Sequence, residues 1–159
     1  MKHKVTMMSL SSGFADHLQE ASQAFHASEH IGQNANELLD DVPDLPGVYV
    51  ISPTSGQSQP IYIGSSGKIS RGLVVSKSTI RNRLRGAKTP YKFDGEEFLF
   101  GPTSAGVTPA GYTSMLKVRD LKVTCLQTPA HIAPATLEAL LLQGCILDFG
   151  DLPVANQKL

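Results

Sequence analysis

The sequence predicts an α+β protein, with helices towards both ends of the chain and strands between them. Three observations support this prediction. Apolar residues recur every three or four positions within 10–28, two short β-branched and aromatic runs lie at 47–52 and 60–64, and a longer apolar run begins at Ala133. The first and last patterns are typical of helices, and the middle one is typical of strands.

Length and composition limit the chain to one compact domain with an extension. The chain has 159 residues, of which 41% are hydrophobic and 18% charged, and this is enough to bury one core. Its longest apolar run, 137–149, contains polar residues and is too short to cross a bilayer, so no membrane partner is expected. The N-terminus lacks an uninterrupted apolar stretch, and we therefore expect no secretory signal. Cys125 and Cys145 match no zinc spacing, which favours buried free thiols and a cytoplasmic location.

Charge is unevenly distributed, although the formal net charge is zero. Between Lys4 and Lys68 all the charged residues are acidic, and from Lys68 to Lys92 all of them are basic. This asymmetry predicts a polyanion site beside an acidic segment that is able to shield it. The alternative is a basic helix face that is simply solvated. The acidic residues are Asp16, Glu20, Glu29, Glu37, Asp40, Asp41 and Asp44, and the basic ones include Lys68, Arg71, Lys77, Arg81, Arg85 and Lys88.

The N-terminal part is expected to be mainly helical. Its first helix lies within 10–28 and has one apolar face, formed by Phe14, Leu18, Ala21 and Phe25. A further helical turn is expected from Ala35 to Leu39, before two prolines stop it. We place the domain boundary here, with an acidic, mainly helical extension at 1–41 and the main domain at 42–159.

The segments "GVYVIS" and "PIYIG" predict a β-hairpin, because both are rich in β-branched and aromatic residues and turn residues separate them. The segment "SKSTIRNRLRGA" predicts a short helix with Ser76 or Ser78 as its N-cap and Gly86 as its stop. Arginines at alternate positions of a helix cannot share one face, so one of those at 81, 83 and 85 must point away from the others.

Further strands are expected at 97–100 and 121–128, with a Gly/Pro/Thr loop at 101–114 between them. The helix from Ala133 is apolar on nearly all sides, as a buried helix is. Glu138 lies within it, and no basic residue is within one turn. Its carboxylate must therefore be exposed at an edge, protonated, or bound to a cation.

Five of these segments occur in an order that resembles the GIY-YIG nuclease superfamily. They are "LPGVYVI", "PIYIGSS", "TIRNRLRG", "ATLEALLLQ" and "LPVANQ", and the resemblance covers roughly 42–159. It implies an α/β-sandwich type of α+β fold, in which helices flank a small three-stranded antiparallel sheet. It also implies hydrolysis of DNA phosphodiester bonds with one Mg²⁺ or Mn²⁺ ion.

The resemblance also implies a set of catalytic residues: Tyr49, Tyr62, Arg83, Glu138 and Asn156, with Gly47 and Gly64 as the motif glycines. Glu138 would hold the metal, and Arg83 would grip the phosphate with its fork of donors. One tyrosine would activate the water, for which Tyr49 is slightly favoured over Tyr62. The basic residues listed above are expected to contact the nucleic acid.

Two positions depart from the family pattern. Ser65 stands where the family often has lysine, and Ala87 stands where it commonly has histidine or tyrosine. Tyr91 and His131 are the candidates to replace the histidine or tyrosine that is absent at Ala87. These departures keep open the alternative of a catalytically weak or inactive nucleic-acid-binding module on the same fold. A third alternative is that the basic stretch binds an acidic protein. Sequence specificity would then come from the loops at 65–78 and 101–114, from a homodimer, or from another protein.

Overall fold

The computed structural model describes residues 12–55, 59–70, 73–75, 78–86, 90–101, 112–129 and 132–156, with backbone only at 68–70 and 73–75. Its helices are α1 (Phe14–Ala24), α2 (Ala35–Asp41), α3 (Ile80–Leu84) and α4 (Pro134–Phe149). Its strands are β1 (His26–His30), β2 (Gly47–Pro53), β3 (Tyr62–Ser66), β4 (Lys68–Ser70), β5 (Leu73–Val75), β6 (Tyr91–Asp94), β7 (Glu97–Phe100), β8 (Ser114–Lys117) and β9 (Leu121–Gln127).

The α+β class is confirmed, but the prediction of a three-stranded sheet is not. The central sheet has four antiparallel strands in the order β1-β9-β2-β3. The additional strand, β1, comes from the N-terminal segment that we expected to be mainly helical. Its sequence, "HASEH", lacks the β-branched and aromatic residues that mark a strand, and its pairing with β9 joins residues far apart in the chain.

The central sheet packs helices on both of its faces. Tyr49 and Ile51 point to one face, where they pack with α2, α3 and the aromatic residues of β6 and β7. Val48 and Val50 point to the other face, where they pack with α1 and α4. This alternation follows from the two-residue period of a strand. The site residues on β2 and β3 therefore lie between two buried cores.

The N-terminal helix is part of the same core. Phe14 and Ala21 of α1 are buried against Leu141 and Cys145 of α4. At the start of α1, the backbone N–H of Ala15 donates to the Asp148 carboxylate at 3.3 Å, so a carboxylate lies at the positive end of the helix. Residues before 42 therefore contribute two helices and a strand to the packed domain.

Two smaller sheets lie outside the predicted hairpin. Strands β4 and β5 pair within the predicted loop at 65–78, and β6, β7 and β8 form a three-stranded antiparallel sheet. Only β7 of these was predicted. The three-stranded sheet buries Phe98 and Tyr91 in the core, and the backbone N–H of Ala35 donates to the Gly95 carbonyl at 2.7 Å. This sheet therefore carries Tyr91 to the centre of the molecule.

Candidate active site

Three tyrosines meet where β2 and β3 run side by side. Tyr49 stands directly opposite Gly64 in the β2/β3 register, and its ring lies 5.9 Å from that of Tyr62. Tyr91 completes the cluster, with its ring 4.9 Å from that of Tyr62. Tyr49 and Tyr91 are buried, whereas Tyr62 is partly exposed. Of the three phenols, Tyr62 is therefore the one that solvent or a substrate can reach.

The motif glycines have steric reasons to be glycine. A Cβ at Gly64 would lie 2.5 Å from the Tyr49 hydroxyl oxygen and 2.7 Å from the Tyr62 ring. A Cβ at Gly47 would collide with the backbone carbonyl of Leu126. Gly64 thus leaves room for the phenol of Tyr49 to lie across β3.

The position of Tyr91 in the folded chain could not be predicted from the sequence. Its hydroxyl lies 3.1 Å from that of Tyr49 and donates to the backbone carbonyl of Arg83 at 3.4 Å. The sequence left open whether Tyr91 folds back towards α3, and in the structure Tyr91 does lie beside α3. The other candidate for this role, His131, lies outside the described residues, as does Ala87. A phenol from β6 thus lies beside the helix at which the family aromatic was expected.

The environment of Tyr49 and Tyr62 raises the pKa of both phenols. Burial raises the pKa of Tyr49 well above 10.0; the neighbouring phenols Tyr91 and Tyr62 add to the rise, and the Arg83 charge opposes it. Burial and then the Glu138 carboxylate raise the pKa of Tyr62, whereas Arg83 and a hydrogen bond from Tyr49 lower it. Tyr62 therefore lies within electrostatic reach of both a cation from α3 and an anion from α4.

The arginines at 81, 83 and 85, in α3 and at its C-cap, point to two different faces, as the helical period requires. Arg81 donates to the backbone carbonyls of Asp40 and Val42, at distances of 2.8–3.2 Å, and Arg85 pairs with the Asp40 carboxylate. Both therefore support the C-terminal end of α2. Arg83 is exposed on another face, and its guanidinium makes no hydrogen bond within the described part of the chain. The helix begins after Thr79, which caps it in place of the predicted Ser76 or Ser78.

Glu138 reaches the site from the opposite face of the sheet. It is half-buried on α4, and the Ser65 hydroxyl donates to its carboxylate at 3.2 Å. Ser65 thus makes a direct contact with the predicted metal ligand from the position at which the family often has lysine. Because β3 is an edge strand, Tyr62 from one face and Glu138 from the other can meet around its edge.

Asn156 also lies at the edge of β3, where its side chain forms hydrogen bonds with the backbone of that strand. Its side-chain amide donates to the Ile63 carbonyl and accepts from the Ile63 N–H, both at 2.8 Å. The N–H of Ala155 also donates to the Ile61 carbonyl at 3.0 Å. Asn156 thus occupies the place of a further strand beside β3, between the positions of Tyr62 and Gly64. Its observed contacts fix the strand that carries the site.

The donors around Glu138 suit a hard cation. A carboxylate and a hydroxyl are oxygen ligands of the kind that Mg²⁺ prefers, and Mg²⁺ keeps several of its waters when it is bound by one or two protein groups. Within the described ranges there is no group of three or more His, Cys, Asp or Glu residues that could hold a metal ion. Among the described residues, Glu138 and Ser65 are therefore the pair that could contribute oxygen ligands to a cation here.

Most of the predicted DNA-contacting residues fall outside what the structure describes. Arg71, Lys77 and Lys88 lie in the undescribed segments, and of Lys68 only the backbone is described. The acidic N-terminal segment contacts the basic one at the Arg85–Asp40 ion pair. Two other acids of this segment have partners outside the basic stretch: Asp41 pairs with His30, and Glu29 pairs with Lys122.

We compared the chain with models of protein families, with curated proteins and with solved structures. None of these comparisons finds a match. Within the described residues, no helix has the length and apolar character needed to span a bilayer.

Proposed function

We propose that this protein is a metal-dependent endonuclease that hydrolyses DNA phosphodiester bonds. The observation that supports this most is the position of Tyr62: Ser65 of the same strand bonds Glu138, and Tyr91, whose ring lies 4.9 Å from that of Tyr62, bonds the backbone of Arg83. An exposed cation, a partly exposed phenol and a half-buried carboxylate come from three different elements, and the pKa of Tyr62 responds to both charges. A phosphodiesterase needs these three kinds of group, to bind the phosphate, to orient water and to hold a cation.

Arg83 is the residue we assign to the phosphate. Its guanidinium remains charged at any relevant pH and presents several donors to two phosphate oxygens. Arg81 and Arg85 are engaged with the end of α2, so Arg83 is the arginine of α3 whose donors remain available among the described residues. In the proposed reaction it would neutralise the negative charge that builds on the phosphate during attack by water.

Tyr62, rather than Tyr49, is the phenol that we assign to the attacking water. Tyr49 is fully buried and cannot touch a substrate without displacing the core, whereas Tyr62 is partly exposed. The raised pKa of Tyr62 keeps its hydroxyl protonated at neutral pH. Tyr62 would therefore take a proton from the attacking water while it passes its own proton to a phosphate oxygen of the substrate, and would not act as a standing phenolate.

Tyr49 and Tyr91 support this role from inside the protein. The Tyr91 hydroxyl donates to the Arg83 carbonyl, and in that arrangement its oxygen accepts from the Tyr49 hydroxyl. A Tyr49 hydroxyl that turns towards Tyr62 instead stabilises the ionised form of Tyr62, which is why it lowers the pKa there. The buried pair can thus adjust to the charge on Tyr62 by the rotation of a single hydroxyl.

Glu138 and Ser65 would hold the cation, which when bound would polarise the phosphate and stabilise the leaving oxygen. Glu138 is fixed on a sixteen-residue helix that packs against β3, so the carboxylate has a defined position relative to Tyr62. Asn156 adds to this order by fixing Ile63, the residue after Tyr62.

The test is cleavage of supercoiled plasmid DNA with Mg²⁺ or Mn²⁺, with and without EDTA. The wild-type protein is expected to nick the plasmid only when the metal is present, and Glu138→Ala is expected to lose this activity. Wild-type protein that nicks no more than Glu138→Ala, on supercoiled, linear and branched DNA alike, would refute the proposed function.

A further inference from the structure

A cavity of about 420 Å³ opens beside the candidate active site, between α2, the end of α3 and strand β6. We call it the α2/β6 cavity. It lies within the size range of small-molecule sites. The lining residues that matter here are Asn36, Arg85, Lys92, Phe93, Asp94 and Tyr112.

Two walls of the α2/β6 cavity lead directly from the reaction centre. One wall is formed by Leu84 to Gly86, which follow Arg83 in the chain. The other begins at Tyr91, whose hydroxyl contacts Tyr49 and whose backbone carbonyl accepts from the Tyr112 hydroxyl at 3.4 Å. The cavity thus adjoins both the helix that carries Arg83 and the Tyr49–Tyr91 pair.

The chemistry of the lining fits a nucleobase better than a phosphate. Lys92 and Arg85 bring positive charge, but Asp94 lies beside them and Arg85 is already paired with Asp40. The charge of the lining is thus nearly balanced, whereas a phosphate site is expected to be clearly positive. The amide of Asn36, the Lys92 ammonium and the Asp94 carboxylate together provide hydrogen-bond donors and acceptors, as the edge of a base requires.

The aromatic rings in the lining of the cavity also fit a nucleobase. Phe93 and Tyr112 are both partly exposed and both line the cavity, so a flat base has rings to stack on. We propose that the α2/β6 cavity binds one nucleobase of the DNA strand, next to the phosphate that is cut. This proposal rests on the endonuclease function above and adds to it a source of base preference.

The experiment is to digest DNA of random sequence with wild-type enzyme and to sequence the ends of the products. We expect a bias towards particular bases at one or two positions on one side of the cut. Asn36→Ala and Lys92→Ala should flatten that bias. Lys122→Ala is the matched control, because it removes the same charge from a lysine on β9 that pairs with Glu29, and it should retain the bias.

A second measurement does not depend on cleavage. The Glu138→Ala protein is titrated with single-stranded dodecamers of dA, dC, dG and dT, and fluorescence anisotropy gives the four affinities. We expect at least a fivefold spread among them, which the added Asn36→Ala substitution reduces to less than twofold. Unbiased product ends from an active wild-type enzyme, or a bias that survives both Asn36→Ala and Lys92→Ala, would overturn the base site alone. Absence of both cleavage and DNA binding would overturn the endonuclease function as well.

Discussion

Gly64 of β3 stands directly opposite Tyr49 of β2, and the absence of a side chain at Gly64 leaves the space that the Tyr49 phenol occupies. The hydroxyl of Tyr49 can then reach that of Tyr91, which comes from a different sheet. A glycine and a tyrosine on paired strands thus determine the geometry of the buried part of the site.

We expect Gly64→Ala to destabilise the protein by about 1–3 kcal/mol, because the new methyl group overlaps the Tyr49 hydroxyl and the Tyr62 ring. Urea unfolding followed by circular dichroism measures this change. In the Tyr49→Leu background the same substitution should cost less, since both Tyr49 atoms nearest to the new methyl group, the hydroxyl oxygen and the ring carbon that bears it, are gone. Equal costs in the two backgrounds would mean that Gly64 and Tyr49 do not compete for this space.

The hydrogen bond between Tyr49 and Tyr91 should appear as coupling in a double-mutant cycle. Each residue changed alone to phenylalanine is expected to lower the free energy of unfolding by about 1 kcal/mol, because it leaves a buried hydroxyl short of one partner. The double variant should lose less free energy of unfolding than the sum of the two single losses, by roughly 0.5–1.5 kcal/mol. Tyr112→Phe, at a partly exposed phenol, should combine additively with Tyr49→Phe and serves as the control.

Arg81 and Arg83 offer a matched pair of substitutions on one helix. Arg81→Ala should destabilise the protein by about 1–3 kcal/mol, because it leaves the Asp40 and Val42 carbonyls without their charged donor. Arg83→Ala should change stability by less than about 0.5 kcal/mol, since the side chain is exposed, but should remove plasmid cleavage. Thermal unfolding and the nicking assay together measure both effects. An Arg83→Ala enzyme that cleaves at the wild-type rate would remove Arg83 from the site.

The two cysteines predict the response to alkaline pH. Burial raises the pKa of Cys125 from 9.0 to about 12, with a further contribution from Asp41, and burial raises that of Cys145 to about 11. Each thiol ionises more readily when the chain unfolds, so its contribution to stability is complete below pH 9 and is lost as the pH rises towards 11–12.

We therefore expect the free energy of unfolding to fall between pH 9 and 11 and to fall less steeply in Cys145→Ala. Native protein at pH 8 should react slowly with a disulfide reagent such as DTNB, and urea-unfolded protein should react fast at both thiols. Rapid reaction of the native protein would contradict the burial of these residues.

The sequence predicted best the features that depend on local pattern. The hairpin around Tyr49 and Tyr62, the short helix that carries Arg83 and the long helix that carries Glu138 all occur where periodicity and turn residues place them. The burial of both cysteines was also predicted, and it is confirmed. Such features are determined by neighbouring residues, and a single sequence contains that information.

The features that were missed depend on contacts between distant residues. Strand β1 is polar and becomes a strand only because β9 presents an unpaired edge to it. Tyr91 joins the site only because the three-stranded sheet folds back over α3. The roles of Arg81 and Asn156 were likewise hidden, since each bonds to backbone groups far away in sequence. No periodicity of the chain encodes these pairings.

If Glu138 holds the cation of a nuclease site, the rate of Mg²⁺-dependent plasmid nicking must depend on its charge, and Glu138→Gln measures this dependence. This substitution keeps the size of the side chain and removes its charge. Glu97→Gln, at an exposed ion pair with Lys117, is the matched control. We expect Glu138→Gln to lose at least about a hundredfold in rate, while Glu97→Gln and the wild-type protein nick at the same rate. Equal nicking by Glu138→Gln and wild-type protein would contradict this role of Glu138.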